Sequence, residues 1–124
     1  MTDANGNTTV YYVKTPYGET TEVTDPLGNK AVRGIDSFGN ITSITGPLGN
    51  TTGITYDANG NITSVTDPLT NDVSMTYLNN NLDSFTDPLN NTYFYAYNEN
   101  NNLTSATDPL GGAVGLVYNP YGEP

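Results

Sequence analysis

The sequence repeats itself every 21 residues, and that period constrains the fold more than any other feature. Prolines followed by leucine stand at Pro26, Pro47, Pro68, Pro88 and Pro109, at intervals of 21, 21, 20 and 21. The tyrosines Tyr56, Tyr77, Tyr97 and Tyr118 keep the same step, and Ile35 lies one period before Tyr56. A fixed period of this length marks an array in which each unit is one supersecondary element stacked on its neighbours. The spacing predicts a single array of about six units over residues 1–124. The one short unit begins at Tyr77, and its missing residue is expected in a turn, where length changes are tolerated.

Each unit carries two turn signals. One is Asp57-Ala58-Asn59-Gly60-Asn61, in which the Asn59-Gly60 pair supplies positive φ and suits a tight hairpin connection. The other is the Asp-Pro-Leu-Gly type, as at Asp25-Pro26-Leu27-Gly28 and Asp108-Pro109-Leu110-Gly111; Asp67-Pro68 and Asp87-Pro88 repeat its first half. Proline presets φ at the second turn position, aspartate bonds back from the first, and glycine suits the end. Between the turns lie runs of about five to seven residues, an ordinary strand length.

The run before each tyrosine alternates: Val73, Met75 and Tyr77 share a face, as do Tyr93, Tyr95 and Tyr97, and Val114, Leu116 and Tyr118. The run after it does not. Ile41 and Ile44 are three apart, as are Ile62 and Val65, so either both faces are partly covered or a β-bulge shifts the phase. The recurring sets Ile41, Ile62, Leu82, Leu103 and Ile44, Val65, Phe85, Ala106 are expected to be stacked core positions. Strand formers and turn formers are abundant while strong helix formers are scarce, so the chain is all-β. Two architectures fit: antiparallel hairpins joined into one continuous curved sheet, or a β-solenoid with parallel coils. The Asn-Gly turns favour hairpins, because parallel coils have no use for that connection.

Composition excludes several functions. There is no cysteine or histidine, so disulfides and the usual zinc and haem ligands are missing, and no metal or other cofactor is expected. The net charge of −10, with cations only at Lys14, Lys30 and Arg33, argues against nucleic acid and anionic membrane surfaces. No run approaches the roughly 20 apolar residues of a membrane span, and no leader pattern opens the sequence. Catalysis has no foothold, since the serines lie within the repeat rather than beside a base.

Three local patterns have bland alternatives. The alternating oxygens of Asp57 to Asn61, echoed at Asp3 to Asn7, resemble a calcium loop but lack its glycine at position six and glutamate at twelve, so Asx turns are expected. Tyr93, Tyr95, Tyr97 and Tyr118 offer faces for a sugar, but a cross-strand aromatic ladder accounts for them. Asn-x-Thr at Asn7, Asn40, Asn50, Asn61, Asn90 and Asn102 falls mostly at turn ends, where repetition explains it.

The residues Tyr56-Asp57-Ala58-Asn59-Gly60-Asn61, followed by Thr66-Asp67-Pro68-Leu69, resemble the YD repeat of bacterial Rhs and wall-associated proteins and of animal teneurins. The resemblance covers nearly the whole chain. It implies β-hairpins in a strip of sheet that spirals into a hollow shell. The chain departs from the pattern where Asn40 and Asn61 replace an arginine, and where Leu78, Asn98 and Asn119 replace the aspartate of the opening dipeptide. It carries no segment resembling the self-cleaving core or the toxin of Rhs proteins. About 12 strands at about 4.8 Å, closed into a ring, would be under about 20 Å across, too narrow for a folded cargo.

The expected role is therefore a non-catalytic structural module of a YD/Rhs-type surface or toxin-delivery protein, a shell wall or spacer, extracellular or at the cell surface as part of a longer chain. A second role is self-assembly into a filament through uncapped end strands. Thr2 to Asn7 echoes Thr107 to Gly112, and Pro16 to Glu19 echoes Pro120 to Glu123, so the ends mimic each other's neighbours. A third role is carbohydrate or cell-surface binding through the tyrosines. Expected partners are adjoining repeats or a second copy, with a glycan as an alternative.

Overall fold

The computed structural model describes residues 10–14, 19–25 and 27–119, with side chains from residue 22 onward. Pro26, the Asp3–Asn7 turn, the Asn7 sequon and the echoing segments 2–7, 16–18 and 120–123 lie outside the described residues.

Among the described residues the chain forms eleven strands and no helix: β1 Val10–Lys14, β2 Glu19–Thr24, β3 Lys30–Ile35, β4 Ile41–Thr45, β5 Thr51–Tyr56, β6 Ile62–Thr66, β7 Asp72–Leu78, β8 Asn81–Thr86, β9 Thr92–Tyr97, β10 Leu103–Thr107 and β11 Ala113–Gly115. Strand order in the sheet is the chain order. The chain divides into two compact units, residues 1–55 with 65–70, and residues 56–64 with 71–124. In the first, β1 to β5 pair antiparallel in succession; in the second, β7 to β11 do the same. Consecutive antiparallel neighbours joined by short turns are hairpins, which removes the parallel solenoid.

The three-residue spacing of the apolar positions is produced by a bulge. Ile41 faces Ile35 and Ser43 faces Gly34, so Thr42 is the extra residue. In the other unit Asp83 and Thr104 occupy the same place, between Leu82 and Ser84 opposite Tyr77 and Thr76, and between Leu103 and Ser105 opposite Tyr97 and Ala96. One extra residue reverses the alternation, so two polar residues pass while Ile41 and Ile44 stay on one face. Gly34 sits against the first bulge for a steric reason. Its N–H donates to Ser43 Oγ at 3.2 Å, and a Cβ at Gly34 would come within 2.5 Å of that oxygen.

The two faces differ in chemistry. One carries the aliphatic and aromatic side chains, paired as Tyr77 with Leu82, Met75 with Phe85, Phe85 with Tyr93, Tyr95 with Ala106 and Tyr97 with Leu103. The other is largely hydroxyls and small residues, with cross-strand contacts between Thr45 and Thr51 (2.7 Å), Thr76 and Ser84 (2.7 Å) and Thr86 and Thr92 (3.0 Å). Such pairs are what stabilises a sheet face.

The expectation of stacked core positions is corrected here. No hydrophobic side chain among the described residues is buried; the buried residue is Ser84. Ile41, Leu82, Phe85, Leu103 and Ala106 are half-covered, and Ile44 is exposed. Periodicity puts side chains on a common face but does not supply a layer to cover that face. The tyrosine ladder also takes a different form. Tyrosines of successive units lie two strands apart, roughly 9.6 Å, beyond direct ring stacking. The intervening strand supplies an aliphatic partner instead, and the one ring contact among the described residues is Phe85 with Tyr93, 6.2 Å between centroids and tilted by 47°.

Candidate functional site

The recurring chemistry of the chain sits at the hairpin ends. In each unit the Asp-Pro-Leu turns join strands at one end of the hairpins, and the turns that follow the repeat tyrosines join them at the other. The sequence presents these as two turn types. The backbone makes them nearly one. In the five-residue turns that begin at Asp25, Asp36, Gly46, Asp57, Asp87, Asn98 and Asp108 the first residue's N–H donates to the carbonyl of the fifth, at 2.8 to 3.0 Å. The fourth residue's N–H donates to the carbonyl of the first at 2.9 to 3.1 Å. The fourth residue also takes positive φ: +85° at Gly28, +91° at Gly39, +81° at Gly49, +87° at Gly60 and +86° at Gly111. This is the three-residue hairpin loop, a type I turn closed by a left-handed residue. The Asn59-Gly60 loop is therefore one residue longer than a two-residue hairpin turn, and Gly60 alone of the pair has positive φ.

The shortened unit holds the two-residue form. Asn79 and Asn80 have φ of +53° and +65°, joining β7 directly to β8. Both values are left-handed, as a type I′ turn requires, and asparagine is the non-glycine residue best suited to them. The residue missing after Tyr77 is thus taken from this loop.

The first residue of most turns works as a side-chain clamp. Asp57 Oδ1 accepts the N–H of Asn59 at 2.8 Å and of Asn61 at 2.9 Å, and its Oδ2 accepts the Asn61 amide at 2.9 Å. Asp25 is held by Leu27 and Asn29, Asp36 by Phe38 and Asn40, and Asp87 by Leu89 and Asn91, in the same arrangement. Asp67 accepts from Leu69, and Asp108 from Leu110 and Gly112. Asn98 does the same without charge, accepting from Asn100 and Asn102. Gly46 has no side chain, yet its turn keeps both backbone bonds at 2.9 Å.

The asparagine amides hold the carboxyl groups of Asp25, Asp57 and Asp87 below the usual aspartate range, with turn N–H groups adding to the effect. At Asp36 partial desolvation pushes upward most strongly, but the bonds from Asn40, Phe38 and Gly39 together outweigh it and the net shift is downward. These carboxylates are occupied by the turns' own donors. No group of three or more metal-ligating side chains occurs among the described residues.

Sequence reasoning named the aspartates and glycines and included Asn61 in the turn signal, but it did not assign the fifth-position amides to the aspartate clamp. It also missed bonds between neighbouring hairpins: the Asn61 amide donates to Asn80 Oδ1 at 3.2 Å and the Asn81 amide to Asn101 Oδ1 at 2.9 Å. The signal was the recurrence of asparagine after the fourth turn residue.

Pro47, Pro68, Pro88 and Pro109 lie exposed at the second turn position. Of the repeat tyrosines, Tyr56, Tyr77 and Tyr97 are half-buried near strand ends. Tyr118 lies beyond β11 and its hydroxyl donates to the Leu103 carbonyl at 2.7 Å, beside the bulge whose Thr104 carbonyl accepts the Leu116 N–H at 2.8 Å. Val114, Leu116 and Tyr118 are thus not one regular strand, which ends at Gly115. Tyr93 and Tyr95 border a shallow groove of about 380 Å³ with Ala106, Asp108 and Val114.

The RHS Repeat family model matches residues 36–72 and 78–113, more than half of the chain. No curated protein matches the sequence.

Proposed function

The chain belongs to the RHS repeat family, and from that premise we propose that it is a non-catalytic wall or spacer segment of a YD/Rhs-type surface or toxin-delivery protein, working outside the cell. Repeats of this family are generally structural modules and occur in extracellular and cell-surface proteins. One observation carries the reading: the polar side chains that recur with the period are occupied in holding turns and neighbouring hairpins. The clamp at Asp57 uses both carboxylate oxygens on the turn itself, and it recurs at Asp25, Asp36 and Asp87.

A wall built from equivalent units tolerates removal of one whole unit. Deleting residues 56–76, one full period, is expected to leave a folded chain that is shorter by one hairpin and loses stability in proportion. X-ray scattering and thermal melting measure both. A chain that no longer folds would sink the reading.

The strand order favours a second reading as a filament subunit. Among the described residues β1 pairs with β2 alone and β11 with β10 alone, and a head-to-tail contact between such edges gives an open fibre. Electron micrographs across a concentration series decide it. A third reading, carbohydrate or cell-surface binding, draws on the groove beside the 36% exposed Tyr93. A glycan array with a Tyr93→Ala control tests it.

A further inference from the structure

In an array of near-identical units, positions that break the repeat serve something the other units do not share. Four such positions fall around β9, β10 and the turn after β10. Tyr93 stands where the two preceding units have Thr52 and Val73, and Tyr95 where they have Ile54 and Met75. Ala106 stands where the three preceding units have Ile44, Val65 and Phe85. The fifth residue of the turns at this hairpin end is Asn29, Asn50, Asn71 and Asn91, but Gly112 in the last.

The register brings the four together. Tyr95 and Val114 both pair with Ala106, a row across three strands. Two residues further along the same face the row is Tyr93, Asp108 and Gly112. The small residues at 106 and 112 leave room, and the six residues of the two rows border the groove of about 380 Å³. Its volume lies within the small-molecule range of roughly 300–1,000 Å³.

Gly112 also changes the clamp. At Asp25, Asp36, Asp57 and Asp87 the fifth-position amide bonds to the second carboxylate oxygen. Asp108 Oδ1 accepts the N–H groups of Leu110 at 2.9 Å and Gly112 at 2.8 Å, while its Oδ2 meets no donor among the described residues. A Cβ at position 112 would come within 2.6 Å of that oxygen. Glycine thus withholds the amide and admits the carboxylate to the border of the groove.

We propose that this groove binds an amino sugar, with the sugar's ammonium group on Asp108 Oδ2 and its ring against Tyr93 and Tyr95. The proposal rests on the carbohydrate reading above and narrows it. An ionised carboxylate only accepts hydrogen bonds, so the group placed on it must donate. A cationic donor makes the stronger bond, and a chain of net charge −10 attracts a cation. Tyrosine adds an apolar ring face and a polar tip, which suit the two kinds of surface on a sugar. The N-acetylated form of the same sugar has no charge for Asp108 to meet, so the site discriminates against it.

The test is an NMR titration of the full chain with the disaccharide of glucosamine and, separately, with the disaccharide of N-acetylglucosamine. It is run at about pH 6, where the free amine is charged and aspartate is ionised. The expected shifts centre on Tyr93, Tyr95, Ala106 and Val114, and the glucosamine form binds at least about tenfold more tightly. Asp108→Asn removes that preference and keeps the turn, since Asn98 holds its own turn with a neutral oxygen. Ala106→Phe puts the residue type of Phe85 into the groove and abolishes binding of both sugars. Glu99→Gln removes one exposed charge at the opposite hairpin end and leaves the affinity within about twofold. Equal affinity for the two disaccharides overturns the proposal and leaves the carbohydrate reading standing. Shifts centred elsewhere overturn it, as does a loss in Glu99→Gln equal to that in Asp108→Asn, which assigns the preference to net charge. No binding of the glucosamine form overturns it too, and the glycan array then decides the carbohydrate reading by itself.

Discussion

The two ends of each hairpin in this protein have converged on the same backbone from different sequences. Asp25-Pro26-Leu27-Gly28-Asn29 and Asp57-Ala58-Asn59-Gly60-Asn61 share first, fourth and fifth residues and differ in the two between. The shared residues form the bonds: the clamp, the left-handed corner and the returning amide. Between them, Leu27, Ala58 and Asn59 are exposed and set the surface chemistry. Fold and surface chemistry are thus specified by different positions of one five-residue motif. Proline's contribution is conformational, since it fixes φ at a site whose N–H no turn bond uses.

The most severe way to break this symmetry is at the corner. Gly60→Val places a β-branched residue at φ +87°, where the space around Cβ is open and the cost is backbone strain. A loss of about 1–3 kcal/mol is expected from thermal or urea unfolding. The opposite end already contains such a residue: Thr70 has φ +68° where its counterparts are mostly glycine. Thr70→Gly should therefore gain about 1 kcal/mol. A neutral Thr70→Gly would mean the strain is relieved elsewhere.

The clamp comes next in size. Asp57→Ala should lower the melting midpoint, by less than Gly60→Val, because the turn at Gly46 keeps its backbone bonds with no side chain at all. The converse change, Gly46→Asp, should raise the midpoint by roughly 2–5 °C. A Cβ there meets only the Asn50 carbonyl, at 3.9 Å, so nothing stands in the way. If Gly46→Asp is neutral, the clamp is a consequence of the turn and not a cause of it.

Acid sharpens the same contrast. Asp25, Asp36, Asp57 and Asp87 have folded-state pKa values below the ordinary one. Their contribution is present above the unfolded value of about 3.9 and is lost as pH falls through the depressed folded value. Melting should change little from pH 7 to about 5 and decline below about 4. Asp57→Asn should flatten that decline in part, since Asn98 shows that a neutral oxygen serves the same two N–H groups. An unchanged acid profile in the variant would remove Asp57 from the account.

The smallest effect is expected at the tips. Phe38 is 89% exposed and makes its turn bond through the backbone, so Phe38→Asn should leave stability within about 0.5 kcal/mol of the parent. A larger change would reveal a contact for the ring.

The amino-acid sequence alone determined the repeat, the strand class and the turn positions. These depend on local preferences: glycine's access to positive φ, proline's fixed φ and the reach of an aspartate over its own turn. It also determined the family, because the spacing of those residues is the family pattern. The bulges at Thr42, Asp83 and Thr104 were legible only as a broken alternation, because a bulge and a two-faced strand leave the same trace in one strand. The pairing partner had to be seen. Only the tertiary structure decided that the apolar columns at Ile41 and Ile44 line a face without forming a buried core, and that tyrosines pair with Leu82 and Leu103 instead of each other. It alone set the leucines at the turn tips in solvent. Periodicity fixes which side chains share a face, but what covers that face depends on residues distant in the chain or in another molecule, and no local pattern encodes it.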